Sequence, residues 1–148
     1  MELTLAVVQY CAEEVRRQGD GPLHVGYMVE AWCEAMDAAV AGHPLTHQLI
    51  RRWGSLVEPV DNAGGGYRDV NVQVGGHPCP SWQSVRGLMD ILLLDQHRLA
   101  SPAFYHQFET IHPFRDGNGR VGKILLNYLN RTLEAPVWPP NFFGCPNP

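Results

Sequence analysis

Between His112 and Ile124 the chain reads HPFRDGNGRVGKI, a run in which most polar side chains could act on a phosphate. His112 can accept a proton near neutral pH. Asp116, four residues on, is of the type that holds Mg²⁺ together with phosphate oxygens. Gly117 and Gly119 let backbone come close to an anion without a Cβ in the way. The loop feeds a helix whose first N–H groups lack intrahelical acceptors and carry the positive end of the helix dipole. Arg120 and Lys123, three apart, fall on one side of that helix. Base, metal carboxylate, anion-binding amides and two cations make a kit for phosphoryl or nucleotidyl transfer.

The same run carries Gly117, four residues and then Gly122-Lys123, the punctuation of a nucleotide-binding P-loop. A P-loop also needs a buried strand before it and a Ser or Thr after its Lys to hold Mg²⁺. Here the preceding SPAFYHQFETIHPF has helical spacing, and Ile124 follows the Lys. The P-loop reading fails on both counts.

The elements that position this loop are mostly helical. Apolar residues recur at helical spacing over 3–18 (Val7, Tyr10, Cys11, with Glu14/Val15 on the same stripe), over about 24–40 (Met28, Ala31, Trp32, Ala35) and from Thr46, an expected N-cap, through Leu49, Ile50 and Trp53. Further helices are expected after Ser81 (Val85, Leu88, Leu92), from Ser101-Pro102 (Phe104, Phe108, Ile111) and from about Gly119 (Val121, Ile124, Leu125, Tyr128). Trp32, Trp53 and Trp82 are expected in the core, with Asn127 and Arg131 on the polar face of the last helix. Between the helices, Pro59 and Gly64-Gly65-Gly66 exclude a helix. Val70, Val72 and Val74 alternate with Asn71 and Gln73 in a short strand that Gly75-Gly76 turns back. The fold class is all-α, a helical bundle with one β-hairpin, read as a single domain over 1–148. The tail APVWPPNFFGCPNP is expected to be extended, packed or frayed, with nothing in its sequence to choose between them.

Composition narrows the partners. A net charge of −4 disfavours nucleic acid, which needs clustered Lys and Arg. The cysteines, Cys11, Cys33, Cys79 and Cys145, form no CxxC pair and read as reduced thiols. No stretch is long and apolar enough to span a bilayer, and the N-terminal run lacks the basic flank of a signal peptide. A cytoplasmic protein is expected; an exported effector would look the same. No zinc spacing is present.

HPFRDGNGR resembles the signature of the Fic domain family, H-P-F-x-[D/E]-G-N-[G/K]-R, at every defined position. GGYRDVNVQVGGHPCP is similar to the Gly-x-Tyr-Arg and β-hairpin flap that precede that motif, and SWQSVRGLMDILL to the helix after it. The resemblance covers about 24–135, with the flap at about 68–79 and the catalytic loop and helix at 112–133. It implies a Fic fold and transfer of AMP from Mg-ATP to a Ser, Thr or Tyr hydroxyl of a target protein, with pyrophosphate released. By resemblance His112 is the general base and Asp116 the Mg²⁺ ligand. Gly117, Asn118 and Gly119 form the anion hole, with Arg120 and Lys123 on the phosphates. Phe114 points into the core. Flap residues Val70, Asn71, Val72, Gln73 and Val74 clamp the target backbone as an added strand. Gly119 is the form associated with AMP transfer, where phosphorylating relatives usually carry Lys. Lys123 stands where many relatives have a second Arg, which keeps the charge and loses the bidentate fork. The family's inhibitory [S/T]-x-x-x-E-[G/N] sequence has no copy here, since SLVEPV at Ser55 has the wrong spacing. Inhibition is therefore expected to be absent or supplied by an antitoxin-like partner. The alternatives are a transferase of another nucleotide or phosphate-containing group, and a weakly active toxin or interaction module.

Overall fold

A computed structural model describes residues 1–140, so Cys145 and the end of the tail lie outside the described residues. The helices are α1 (Leu5–Arg17), α2 (Pro22–Val40), α3 (His47–Val57), α4 (Trp82–Leu94), α5 (Ser101–Ile111) and α6 (Asn118–Asn130). Strands β1 (Gln73–Val74) and β2 (His77–Pro78) form an antiparallel hairpin between α3 and α4. The mostly helical architecture with one small sheet is the one the sequence predicts.

Local chemistry explains the helix ends. The hydroxyls of Thr4 and Thr46 accept from the amides of Val7 and Leu49, 3.3 and 3.1 Å away, capping α1 and α3. Pro22 starts α2, where its missing N–H costs nothing. Ser81 stands at the N-cap position of α4 but its hydroxyl pairs with that of Ser84; the Trp82 amide donates instead to Asn71 Oδ1 at 3.0 Å. Asn71 thus secures the hairpin to α4.

α6 runs through the middle, packed against α5, α2 and α3. Its residues from Arg120 to Asn127 are all buried. The core around it includes Trp32, Trp53, Phe104, Phe108, Phe114 and Met89, each fully buried. Burying one such side chain contributes roughly 1.5–3 kcal/mol. Trp32 also donates its indole N–H to the Leu133 carbonyl at 2.9 Å, tying α2 to the chain after α6.

Several expectations need correction. Trp82 is 41% exposed, on the solvent side of α4. Asn127 lies in the core rather than on a polar rim. Its amide reaches the carbonyls of Lys123 and Val137, and its oxygen accepts from Val137 N and the Thr132 hydroxyl. The strand expected over 70–74 shrinks to Gln73–Val74, leaving Val70, Asn71 and Val72 outside it. Pro78, opposite Gln73, has no N–H to give, and the Val70 carbonyl is taken by a side chain.

Candidate active site

The catalytic-loop candidate begins where α5 stops. His112 adopts a left-handed conformation (φ 53°, ψ 64°) and caps α5 through its amide on Phe108 O, while Pro113 prevents the helix from continuing. A non-glycine residue there costs roughly 1–2 kcal/mol, so the turn needs outside support. Arg68 supplies it: its Nε donates to His112 O at 2.7 Å, its Nη2 to Ile111 O at 3.2 Å and its amide to Pro113 O at 2.8 Å. The half-buried His112 ring donates Nδ1–H to the Glu109 carbonyl at 3.3 Å. A neutral imidazole so held carries its basic lone pair on Nε2. Burial pushes its pKa down; Arg68 adds to that, whereas the Glu109 carbonyl and Asp116 oppose it.

The loop then closes on itself. Phe114 enters the core as expected, against α3, at a place only glycine allows. A Cβ on Gly54 would lie 2.5 Å from the Phe114 ring. Asn118 accepts from the Phe114 amide at 2.9 Å and donates to the Phe114 carbonyl at 2.8 Å, so its side chain is spent on the loop. Gly117 sits at φ 81° with its amide donating to Asp116 Oδ1 at 2.7 Å. Its carbonyl takes the first helical bond, from Val121. The amides of Asn118, Gly119 and Arg120 therefore form the free tip of α6. Gly119 faces α1: a Cβ there would lie 2.9 Å from Gln18 Nε2 and 3.3 Å from Glu14 Oε2.

The two cations are not displayed on an open face. Arg120 is buried, donating to Val57 O at 2.9 Å and Glu58 Oε1 at 3.0 Å, with Asp20 and Asp116 at 3.4 and 3.5 Å. Lys123 is fully buried, 3.1 Å from Glu14 Oε2 on α1, with Nζ 5.5 Å from the centre of the Tyr105 ring. Glu109 is buried beside it. Burial pushes the Glu109 carboxyl up to about 7, with Lys123 pulling against and Glu14 reinforcing. One Glu109 oxygen, one Glu14 oxygen and the Lys123 ammonium have no hydrogen-bond partner among the described residues.

Among the described residues, two groups of side chains could hold a metal ion. Glu58, Asp61 and Asp116 bring carboxylate oxygens within 4.8 Å of one another, the last two exposed. That all-oxygen set suits Mg²⁺. The other, Asp20, His24 and Glu58, includes an imidazole nitrogen; the Arg120 guanidinium lies 3.0 Å from Glu58, which both sets share, and 3.4 and 3.5 Å from Asp20 and Asp116.

The hairpin stands beside this loop. Gly75 and Gly76, both at positive φ, make its turn, and the Cys79 amide reaches Val72 O at 3.2 Å beyond the formal strands. Val70, Asn71 and Gln73 are exposed and Val72 and Val74 half-buried, with Arg115 of the loop ion-paired to Asp69 at the hairpin's foot. Sequence reasoning missed Arg68, Glu58, Glu109 and the role of Glu14. A signal existed for Glu14, because a carboxylate on α1's apolar stripe requires a buried cation.

The family model described as Fic/DOC family matches residues 44–129. A protein adenylyltransferase Fic of Culex quinquefasciatus is 36% identical over 102 residues, 63% of this chain and 19% of that protein. One of Drosophila grimshawi is 35% identical over 102 residues, 63% and 20% of the two chains. The chain thus spans about a fifth of the length of these relatives. A probable protein adenylyltransferase of Aquifex aeolicus is 75% identical over 26 residues, 18% of this chain and 8% of that one. In fold, the chain is similar to a Fic family protein from Desulfovibrio desulfuricans, with TM-score 0.61 and 24% identity over 88% of this chain and 43% of that one. Among the described residues no helix is long and apolar enough to cross a membrane.

Proposed function

The chain belongs to the Fic/DOC family, and from that premise we propose that it transfers AMP from Mg-ATP to a hydroxyl of a target protein. One observation carries the reading: the His112 ring is fixed by its Nδ1–H on the Glu109 carbonyl, leaving Nε2 as the proton acceptor. Burial, which keeps the imidazole neutral, supports the same role. The acceptor hydroxyl gives its proton to Nε2 as its oxygen bonds to the α-phosphorus. The bond from that phosphorus to the bridging oxygen breaks, and pyrophosphate leaves. The free amides of Asn118, Gly119 and Arg120 take the phosphate oxygens on which charge gathers. Asp116, with Glu58 and Asp61 close by, would hold Mg²⁺, which offsets phosphate charge when bound. The exposed edge of Val70–Val74 takes the target backbone as an added strand. Lys123, and the guanidinium of Arg120, contact the phosphates only after exchanging their present carboxylate partners.

That last point favours a second reading, a weakly active or partner-controlled module, because both cations are already engaged by Glu14 and Glu58. An inhibitory partner acting in trans belongs to this reading. ATP labelled at either the α- or the γ-phosphate, incubated with the protein, Mg²⁺ and a lysate, separates the two. AMP transfer expects α-label on protein, no γ-label, and loss of the α-label in His112→Ala. Label from γ would mean phosphorylation, and none from either position would leave the interaction module.

A further inference from the structure

Arg68 is a buried cation with no carboxylate within ion-pair distance among the described residues. Burial lowers its pKa, so the protein works against the charge it keeps there. What holds the guanidinium is a set of backbone carbonyls. Nη1 donates to Val70 O at 2.9 Å and Nη2 to Pro80 O at 2.6 Å, the two feet of the hairpin. Nε and Nη2 donate to His112 O and Ile111 O, the turn that carries the imidazole. The backbone amide adds Pro113 O. A planar fork with five N–H donors can satisfy four carbonyls on two segments at once; a lysine ammonium, one nitrogen with three protons, cannot.

We propose that Arg68 is a positioning residue for the transfer reaction, a single guanidinium that fixes the target-binding hairpin in register with the His112 imidazole. The proposal rests on the adenylyltransferase reading above and deepens it. The hairpin edge would set where the acceptor hydroxyl arrives, and the left-handed turn sets where Nε2 points. Arg68 contacts both and reaches neither substrate. Without it, nothing else that donates to the His112 carbonyl holds the turn among the described residues, and Nδ1 loses its fixed alignment on Glu109 O.

The test uses Arg68→Lys and Arg68→Met in the full chain, with circular dichroism confirming that each is folded. The first readout needs no activity: ¹⁵N-histidine NMR at pH 8 without nucleotide reports the His112 tautomer. The wild type is expected to hold the proton on Nδ1, and both variants to show a mixture. The second readout is kinetic. A misplacement of about 1 Å costs on the order of 100-fold, so kcat for the protein acceptor should fall by about that factor and its KM should rise. KM for ATP should stay within about threefold, because the α6 tip is untouched. A single Nδ1–H tautomer in folded variants, with kcat per folded molecule unchanged, would reduce Arg68 to a stabilising residue and overturn the proposal. So would full recovery by Arg68→Lys, or ATP and acceptor KM rising together. If Arg68→Met fails to fold, Arg68→Lys alone decides. Should the wild type transfer no AMP, the function is wrong, yet the tautomer measurement still reads Arg68's hold on His112.

Discussion

Replacing Glu109 by Gln probes the buried charges beneath α6 with almost no change in shape. Glu109, Glu14 and Lys123 share one buried region, two carboxyls beside one ammonium. Burial raises the Glu109 carboxyl from its ordinary 4.5 to about 7. The folded chain therefore keeps a proton there that the unfolded chain has lost. A raised folded-state pKa gives stability that is fully present below about 4.5 and is lost as pH rises through about 7. The difference of about 2.5 units corresponds to about 3 kcal/mol. The amide that replaces the carboxyl in Glu109→Gln is neutral at every pH and so lacks this dependence. Urea unfolding of both proteins at pH 5, 6, 7 and 8 measures the difference directly, since groups common to both cancel. Wild-type stability relative to the variant should fall by about 2 kcal/mol in total between pH 5 and 7 and level off above. A relative stability constant to within about 0.5 kcal/mol across that range would show that Glu109 ionises at its ordinary pKa, and the charge balance described for the cluster would be wrong.

Removing one partner of the adjacent pair should be more damaging. Lys123→Met leaves Glu14 buried without its cation and should cost about 3–5 kcal/mol, while adding Glu14→Gln should recover part of that loss in thermal or urea unfolding. Gly54→Ala places a methyl within 2.5 Å of the Phe114 ring against a helix backbone, so it should destabilise by about 1–3 kcal/mol and lower transfer activity with it. Because burial depresses the His112 pKa below 6.5, the acid limb of kcat/KM for AMP transfer should lie below pH 6.5. A limb above that value would mean that another group titrates.

What the sequence made legible was local. The spacing of HPFRDGNGR, the Thr46-to-Leu49 cap and the apolar stripes of the helices each depend on neighbours a few residues apart. What it hid was long-range. Lys123 and Asn127, four apart, share one stripe of α6 and read as a wet face, until α1 is folded across them. Arg68 received no role within GGYRDVNVQVGGHPCP, because two of its acceptors are carbonyls 43 and 44 residues later, which no side-chain pattern records. The hairpin was overestimated for a related reason: alternation of valines predicts extended backbone, but Pro78 and the diversion of the Val70 carbonyl decide how much of it pairs.

The hidden contacts share a purpose that formal charge makes visible. The chain as a whole carries −4, which should repel a triphosphate. Among the described residues the buried charged side chains are Arg68, Arg120 and Lys123 with Glu14, Glu58 and Glu109. With Glu109 holding its proton below about pH 7, Lys123 on the helix that carries the loop answers one carboxylate, Glu14, instead of two. A positive interior shielded from bulk water acts over a longer range than surface charge of the opposite sign, which salt screens within about 10 Å. The loop can thus attract an anion on an acidic protein. Ionising Glu109 sets a second carboxylate against Lys123, so anion affinity at the α6 tip, read as ATP binding by calorimetry, should weaken as pH rises through about 7 in the wild type and not in Glu109→Gln.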